Sequence, residues 1–332
     1  DFAQVVKKNN VKEAIKLLPI SLRKNAEKVL HKVFKLSENS LLTELQLNKS
    51  FKILSKLELN VRTIGEIDDL IDKFNTAKPI ERNSLVDLLN NLLSNYSSDT
   101  KEFKKIKDCL TSAPSRPPET PNEQIDLTKY YNASMFSSLG FHGGGENQNF
   151  RFLPEKYSLE DGVPFDLRGI IRLRSGPISW SGGYWKTSND HGETKSINKE
   201  YPAEVNDIEI NAKCSKIHFL IGSIFGSFME KGEVAAKIII KYNDGTDAQL
   251  PIIAKRDIFD WWTPSSDRSP GLMEKEVPAD KYGWIGQDYL GNGRGITKPY
   301  WVNPHPEKII ASIDFKSGLI ACAPILIGIT LE

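Results

Sequence analysis

The chain has 332 residues, 39% hydrophobic and 26% charged, with a formal net charge of +1. That length accommodates two domains, each burying its own core, and the balanced charge gives no long-range pull on a polyanion, so nucleic acid is not an expected partner. No apolar run reaches the roughly 18 residues that a membrane-spanning helix requires. The sequence opens on Asp1 without Met or a signal-like apolar segment, which fits a processed start or a trimmed one.

Residues 1–110 read as a helical bundle. Phe2, Val5 and Val6, then Ile15, Leu17 and Leu18, fall on a helical repeat that Pro19 interrupts. From Ser21, Leu22, Ala26, Val29, Leu30, Val33 and Leu36 follow at steps of three and four. A third helix is expected over Leu41–Leu59. Thr63 and Glu66 then have capping-box spacing ahead of Ile67, Leu70, Ile71 and Phe74. After Pro79 comes a stripe of Leu85, Leu88, Leu89, Leu92, Leu93 and Tyr96, and a short last helix holds Phe103, Ile106 and Leu110. Lysines mixed with acidic residues occupy the opposite faces, the pattern of a solvated surface. Such helices point to packing or protein contact and to no chemistry.

Residues 111–124 change character, with prolines among Ser, Thr and Glu that disfavour helix and hold the chain extended. This stretch reads as the linker between the two domains. Residues 125–332 then read as strands separated by Gly, Asn, Asp and Pro. The candidates are Phe165–Leu173, Val205–Ile210, Lys216–Ile221, Ala235–Tyr242, Ala248–Ile253, Ile309–Phe315 and Ile325–Leu331. The clearest unit is a hairpin in which Ile238, Ile240 and Tyr242 alternate, Asn243-Asp244-Gly245 reverses the chain, and Ala248, Leu250 and Ile252 resume. Near the end Ile309, Ala311, Ile313 and Phe315 alternate, as do Ile325, Ile327, Ile329 and Leu331. No amphipathic helix intervenes, so parallel βαβ units are not expected, and an antiparallel jelly-roll-like sandwich of two layers is the natural solution.

Several phrases carry a resemblance when taken in order. They are DGVPFDLRGIIRL (Asp161–Leu173), YPAEVNDIEINAKCSKIHFL (Tyr201–Leu220), the hairpin, RDIFDWW (Arg256–Trp262), and Trp301 with Asn303-Pro304. Together they resemble a β-sandwich module appended to multi-domain proteins of planctomycete and verrucomicrobial bacteria. That module is similar to the galactose-binding-domain-like fold, to which many carbohydrate-binding modules belong. The resemblance covers about Asp126 to Glu332 and implies a fold, with sugar binding, protein binding or a structural role among its uses. It brings over no catalytic set.

All six tryptophans lie in the second domain, in what read as loops. Trp180, Tyr184 and Trp185 sit in a Gly/Ser-rich segment, while Trp261, Trp262, Tyr282, Trp284, Tyr300 and Trp301 lie between the hairpin and the last strands. Indole stacks on the C–H faces of pyranose rings, and neighbouring Arg, Asp and Asn bind hydroxyls, so these aromatics are candidate ligand contacts. The competing reading has the rings plugging the end of the sandwich. Arg256, Asp257 and Asp260 are weighed likewise, as hydroxyl-binding groups or as an ion pair that pins the loop. A hydrolase would need two carboxylates across a sugar ring.

Other motifs weaken on inspection. His142-Gly143-Gly144-Gly145 has no accompanying G-x-S-x-G, and Gly291-Asn292-Gly293-Arg294-Gly295 does not join a strand to a helix. His31, His142, His191, His218 and His305 show no zinc spacing, and His218 reads as a satisfied strand residue. Cys109, Cys214 and Cys322 cannot all pair, and Cys214 and Cys322 read as small buried thiols. No cofactor is expected beyond a structural calcium ion held mainly by backbone carbonyls. Asn48, Asn95 and Asn132 head sequon patterns.

The leading expectation is a non-catalytic binding protein: an extracytoplasmic sandwich that touches carbohydrate or a cell-envelope partner, and a helical domain for docking or assembly, self-association included. A structural protein using the sandwich for protein contacts comes second, and a carbohydrate-active hydrolase third.

Overall fold

The computed structural model describes residues 64–77, 79–93, 96–136, 139, 149–151, 153, 156–158, 162–176, 178–181, 184–187, 201–263, 282–287 and 293–332. The chain divides into two compact units, Asp1–Thr111 and Ser112–Glu332. The three helices expected before residue 60, the HGGG run, His31, His142, His191 and the sequons at Asn48 and Asn95 lie outside the described residues.

In the first unit the described helices are α1 (Ile64–Thr76), α2 (Pro79–Leu93) and α3 (Lys101–Thr111), and each packs on the other two. Ile67, Leu70 and Phe74 are buried on α1, Val86, Leu88, Leu89 and Leu92 on α2, and Ile106 and Leu110 on α3. Part of each expected stripe is therefore buried: Ile71, Leu85, Leu93, Tyr96 and Phe103 are only partly covered, and Val86 joins the buried set on α2. Two caps fix the ends. Thr100 Oγ1 accepts the Phe103 amide at 3.2 Å and starts α3. The buried Arg82 guanidinium donates to the carbonyls of Phe74 at 2.9 Å, Asn75 at 3.3 Å and Ala77 at 2.9 Å, closing the C-terminal end of α1.

The second unit is built from antiparallel strands. In chain order they are β1 (Lys156–Ser158), β2 (Pro164–Asp166), β3 (Ile171–Arg172), β4 (Ile178–Ser181), β5 (Tyr184–Thr187), β6 (Glu204–Ala212), β7 (Lys216–Ile224), β8 (Val234–Tyr242), β9 (Asp247–Ile253), β10 (Trp262–Thr263), β11 (Tyr282–Gln287), β12 (Gly293–Thr297), β13 (Tyr300–Val302), β14 (Ile310–Ser317) and β15 (Ala323–Leu331). One main sheet has the order β10-β12-β7-β15-β3, with β11 added on β12 and β13 on β7; the other has the order β6-β14-β8-β9. Inward residues of both sheets, such as Phe219, Ile221 and Leu326 of one and Ile208, Ile238, Ile240 and Phe315 of the other, share one buried cluster. This is a sandwich core.

The hairpin forms as its alternation dictates, with Ile238 opposite Leu250 and Ile240 opposite Ala248. Gly245 takes φ of 85° in the turn, and Asp244 Oδ1 accepts the Thr246 amide at 2.9 Å. The last two strands are phased differently from their sequence pattern, because each carries a bulge. In β14 the register shifts between Ile310 and Ser312, so Ile310 is fully buried while Ile309 is 37% exposed. In β15 the shift falls between Leu326 and Gly328. Leu326, Ile329 and Leu331 therefore face the shared core, and Ile325 does not. Bulges also mark β6, where Asp207 and Asn211 take φ of 55° and 51°.

A third layer covers the other face of β7 and β15, both of which are buried along nearly their whole length. A Cβ placed on Gly328 would lie 3.0 Å from Leu167 and Phe165 atoms, and one on Gly222 would lie 3.8 Å from the Trp261 Cβ. Two layers of one-sided strands would leave that face wet. Here the chain around Phe165 and Trp261 closes it.

Residues 112–124 do not run free between the units but pack on the sandwich. The Arg168 guanidinium, buried to 1%, binds Asp166 through Nε at 2.7 Å and through Nη2 at 3.0 Å. It also reaches Asp126 at 2.7 Å, Thr128 Oγ1 at 2.6 Å and the Pro114 carbonyl at 2.8 Å. Arg116 adds bonds to Asp166 at 3.0 Å and to the Gln124 carbonyl at 2.6 Å. Polar side chains thus pin a proline-rich segment that has few amides of its own to offer.

Candidate functional site

The loop after β9 is a strut. Asp257 Oδ2 accepts the Ile253 amide at 2.9 Å, and Arg256 grips the same carboxylate through Nε at 3.0 Å and Nη2 at 2.7 Å. Thr297 Oγ1 donates to the Asp257 carbonyl at 2.7 Å and ties this turn to β12. Arg256 and Asp257 therefore form the pinning ion pair, and the Asp257 carboxylate is engaged with its own loop.

Three residues on, the chain reaches the tryptophan pair. Trp261 is 2% exposed; its amide donates to the Ser223 carbonyl at 2.9 Å, and its carbonyl accepts the Gly295 amide at 3.1 Å. Its ring meets Phe150 at 4.9 Å between centroids. As a ligand contact Trp261 is corrected: the ring seals the outer layer of the core, where the backbone ties to β7 and β12 hold it. Trp262, the next residue, is 38% exposed and opens β10 directly opposite Arg294. The Arg294 guanidinium, itself buried, lies 4.7 Å from the Trp261 ring centre and 5.3 Å from that of Trp262. Ring quadrupoles attract a buried cation at such distances.

Asp260 joins this cluster from the side. Its Oδ1 accepts the Trp262 amide at 3.1 Å and its Oδ2 the Ser227 amide at 2.8 Å. Burial pushes the carboxyl up to about 6, against the opposing pull of the Trp262 and Ser227 amides, the Ser227 hydroxyl and the Arg294 guanidinium.

The remaining aromatics are placed on strands, so that with Trp262 five of the six tryptophan positions read as loops are corrected, while Trp261 lies between strands. Trp284 lies on β11 opposite Ile296, two residues along β12 from Arg294, and is half-buried. Trp301 lies on β13 opposite Ile217 and packs against the shared core. Trp180 and Trp185 face each other in register across β4 and β5, with Tyr184 opposite Ser181, and that pair joins no other described strand. These strands are short, and β11 is interrupted by glycine, so they have little alternation to read; their cross-strand partners define them. The structure thus gathers Asp260, Trp261 and Trp262 around Arg294, joins the Arg256–Asp257 pair to the same strand β12 through Thr297, and sets Trp301 apart.

Arg294 is the residue that sequence reasoning passed over. Its only signal is position: Gly293-Arg294-Gly295-Ile296-Thr297 is a strand in which Arg294 and Ile296 share a face. Tyr300 and Val302, 58% and 59% exposed on β13, form a separate patch. His218 binds Glu332 through Nε2 at 2.7 Å. Asn132, head of the third sequon, spends its amide on both backbone groups of Arg172, at 3.0 and 2.8 Å. The cysteines are free thiols. Among the described residues no group of three or more His, Cys, Asp or Glu is placed to hold a metal, and no helix is long and apolar enough to cross a membrane.

No family model, curated protein or solved structure matches this chain.

Proposed function

We propose that the chain is a non-catalytic binding protein whose sandwich contacts a carbohydrate, or another cell-envelope partner, through the surface indole of Trp262. The helical unit serves docking or assembly. The observation that carries this reading is the contrast within one dipeptide: Trp261 is sealed in the core, while Trp262 keeps 38% of its surface open beside a buried arginine. A solvent-facing indole stiffened from behind costs little entropy to engage, and its face suits the C–H side of a sugar ring. Half-buried Trp284 extends the same strand group. Asp257 and Asp260 each hold backbone amides, which favours binding over hydrolysis. The finer fold belonging to this reading is a galactose-binding-like jelly roll in an extracytoplasmic protein, on the strength of the motif resemblance.

Tyr300 and Val302 favour a second reading, an assembly protein whose sandwich makes protein contacts. Glycan-array and polysaccharide pull-down experiments with wild type, Trp262→Ala and Trp284→Ala separate the two. Glycan binding that Trp262→Ala abolishes supports the first. Silence across all glycan classes, together with a defined oligomer that Tyr300→Ala disrupts, replaces it with the second.

A further inference from the structure

Strand β11 covers the outer edge of β12 and starts at Tyr282, opposite Thr297. The chain runs on from β12 through Lys298 and Pro299 into β13, and among the described residues no strand lies on the outer side of β13. Hydrogen bonds on the inner side fix which backbone groups point there. The Pro299 carbonyl accepts the Phe219 amide at 3.0 Å, and the Asn303 amide donates to the Ser215 carbonyl at 2.8 Å. Residues 299 and 303 therefore turn toward β7, and so does Trp301 between them, because an antiparallel ladder alternates. Tyr300 and Val302 turn their N–H and C=O groups the other way. Their side chains are exposed as well, at 58% and 59%. Tyr300 is steadied from beneath by the Lys216 ammonium, 5.7 Å from its ring centre, and by the His218 ring at 6.1 Å. Register between β13 and β7 is continuous, and neither a bulge nor a proline inside the strand blunts this edge.

We propose that the open edge of β13 pairs with β13 of a second copy of this chain, forming a two-fold dimer centred on Trp301. Outward N–H and C=O groups in alternation are matched by another extended backbone, and this edge matches itself. With the two Trp301 residues opposite each other, Tyr300 of each copy faces Val302 of the other, and each such pair exchanges both of its backbone bonds. The side chains agree. Tyr300 against Val302 is an aromatic–β-branched pair, a favoured cross-strand combination, and the two half-buried Trp301 side chains become neighbours on the opposite face. Register also keeps like charges apart. His218 lies beside Tyr300 and Lys216 beside Val302, so each joined row reads His218, Tyr300, Val302, Lys216, and the Lys216 side chains of the two copies fall in separate rows. Glu332 already matches each Lys216 at 2.6 Å. Pro299 and Pro304 bracket the edge and bring no N–H, and an isologous contact uses the edge up, so the product is a dimer and not a filament. So short a contact falls below the about 800 Å² per partner of a standard complex, which makes the dimer weak and reversible. The proposal deepens the assembly reading of Tyr300 and Val302 and is independent of sugar binding at Trp262.

Sedimentation velocity of the full chain from micromolar to millimolar concentration measures the mass, and amide hydrogen exchange at both ends of that range reports on the edge. The expected result is a monomer that becomes a dimer. The Tyr300 and Val302 amides exchange fast in the monomer and slow about tenfold once about nine-tenths of the chain is dimeric, since only free edges exchange. The Trp301 amide is protected throughout. Val302→Pro removes an outward N–H without touching a bond to β7, and should leave a monomer that keeps its Trp301 protection. Should Val302→Pro fail to fold, Val302→Lys, which keeps every backbone group and blunts the edge by charge, should give the same monomer. A monomer at every concentration overturns the proposal. So do Tyr300 and Val302 amides already protected in the monomer, and so does a dimer that survives both variants. No glycan enters the measurement, so a failed sugar screen and a failed dimer are distinct results, and a dimer held by another surface removes the edge while leaving the assembly reading in place.

Discussion

Arg294, 1% exposed, keeps its guanidinium carbon 5.3 Å from the ring centre of Trp262, a residue 38% exposed. The pair couples a buried charge to a surface ring, and Trp261 on the same guanidinium completes the arrangement. Adjacent tryptophans in one sequence therefore sit in opposite environments. Trp261→Ala is expected to cost about 3–5 kcal/mol, the range for an aromatic deleted from a core. Trp262→Ala should cost about 1 kcal/mol or less and, on the proposed reading, remove glycan binding. Urea unfolding of both variants checks the first pair of values; equal losses would contradict the assignment.

Arg168 is the second residue whose removal should be severe. It is buried, it grips Asp166 with two nitrogens, and it holds three further oxygens at the entry to the sandwich. Removing one partner of a buried pair typically costs about 3–5 kcal/mol, and Arg116, which still reaches Asp166 at 3.0 Å, offsets part of that. Arg168→Met should approach that loss and expose residues 112–124 to limited proteolysis. Arg168→Lys should rescue only part, since an ammonium cannot reproduce the fork.

Gly169 sits against Tyr131, and a Cβ there would lie 2.5 Å from the ring. Gly169→Ala should destabilise by about 1–3 kcal/mol through overpacking. A compensating Tyr131→Ala in the same chain should recover part of the loss, and a double-mutant cycle in denaturant measures the coupling.

In the first unit, Arg82→Ala removes the donors that close α1. Three carbonyls lose a buried charged partner, worth about 2–3 kcal/mol. Amide exchange at the end of α1 should rise well above that of α3, and protection unchanged along α1 would reject the capping role.

The pH dependence has opposite signs at two carboxylates. Asp260 is raised in the folded state, so its contribution to stability is largest below the ordinary carboxylate range and is lost as pH climbs through about 6. At Asp126 burial pushes up, but Thr128 and Arg168 outweigh it and hold the group below its ordinary value. Its contribution is present above the ordinary range and is lost as pH falls through the lowered value. Urea midpoints of Asp260→Asn and Asp126→Asn across pH 3–8 should therefore diverge from wild type at opposite ends.

The strands with strong alternation and turn residues were legible from residues alone. Asn243-Asp244-Gly245 fixed the β8–β9 reversal, and the centres of the helical stripes of α1 to α3, such as Phe74, Leu89 and Ile106, are buried. Bulges were not legible. Ile325, Ile327, Ile329 and Leu331 look like one face, yet a single shift near Gly328 puts Ile325 on the side opposite Ile329. The candidate site was half visible. Its aromatics stood out, but nothing local separates Trp261 from Trp262, because the ties of Trp261 to Ser223 and Gly295 come from distant strands. Arg294 was hidden by its glycines, which suggested a turn where β10 and β11 supply pairing partners.

The four-stranded sheet carries a safeguard at each margin. Its outermost strands are β6, kinked where Asp207 and Asn211 turn left-handed, and β9, where Pro251 has no N–H to offer a newcomer. Both devices discourage edge-to-edge stacking into fibres. Even crowded at high local concentration, as on a cell surface, this layer should stay unpolymerised and leave encounters to the broad sides and rims of the molecule.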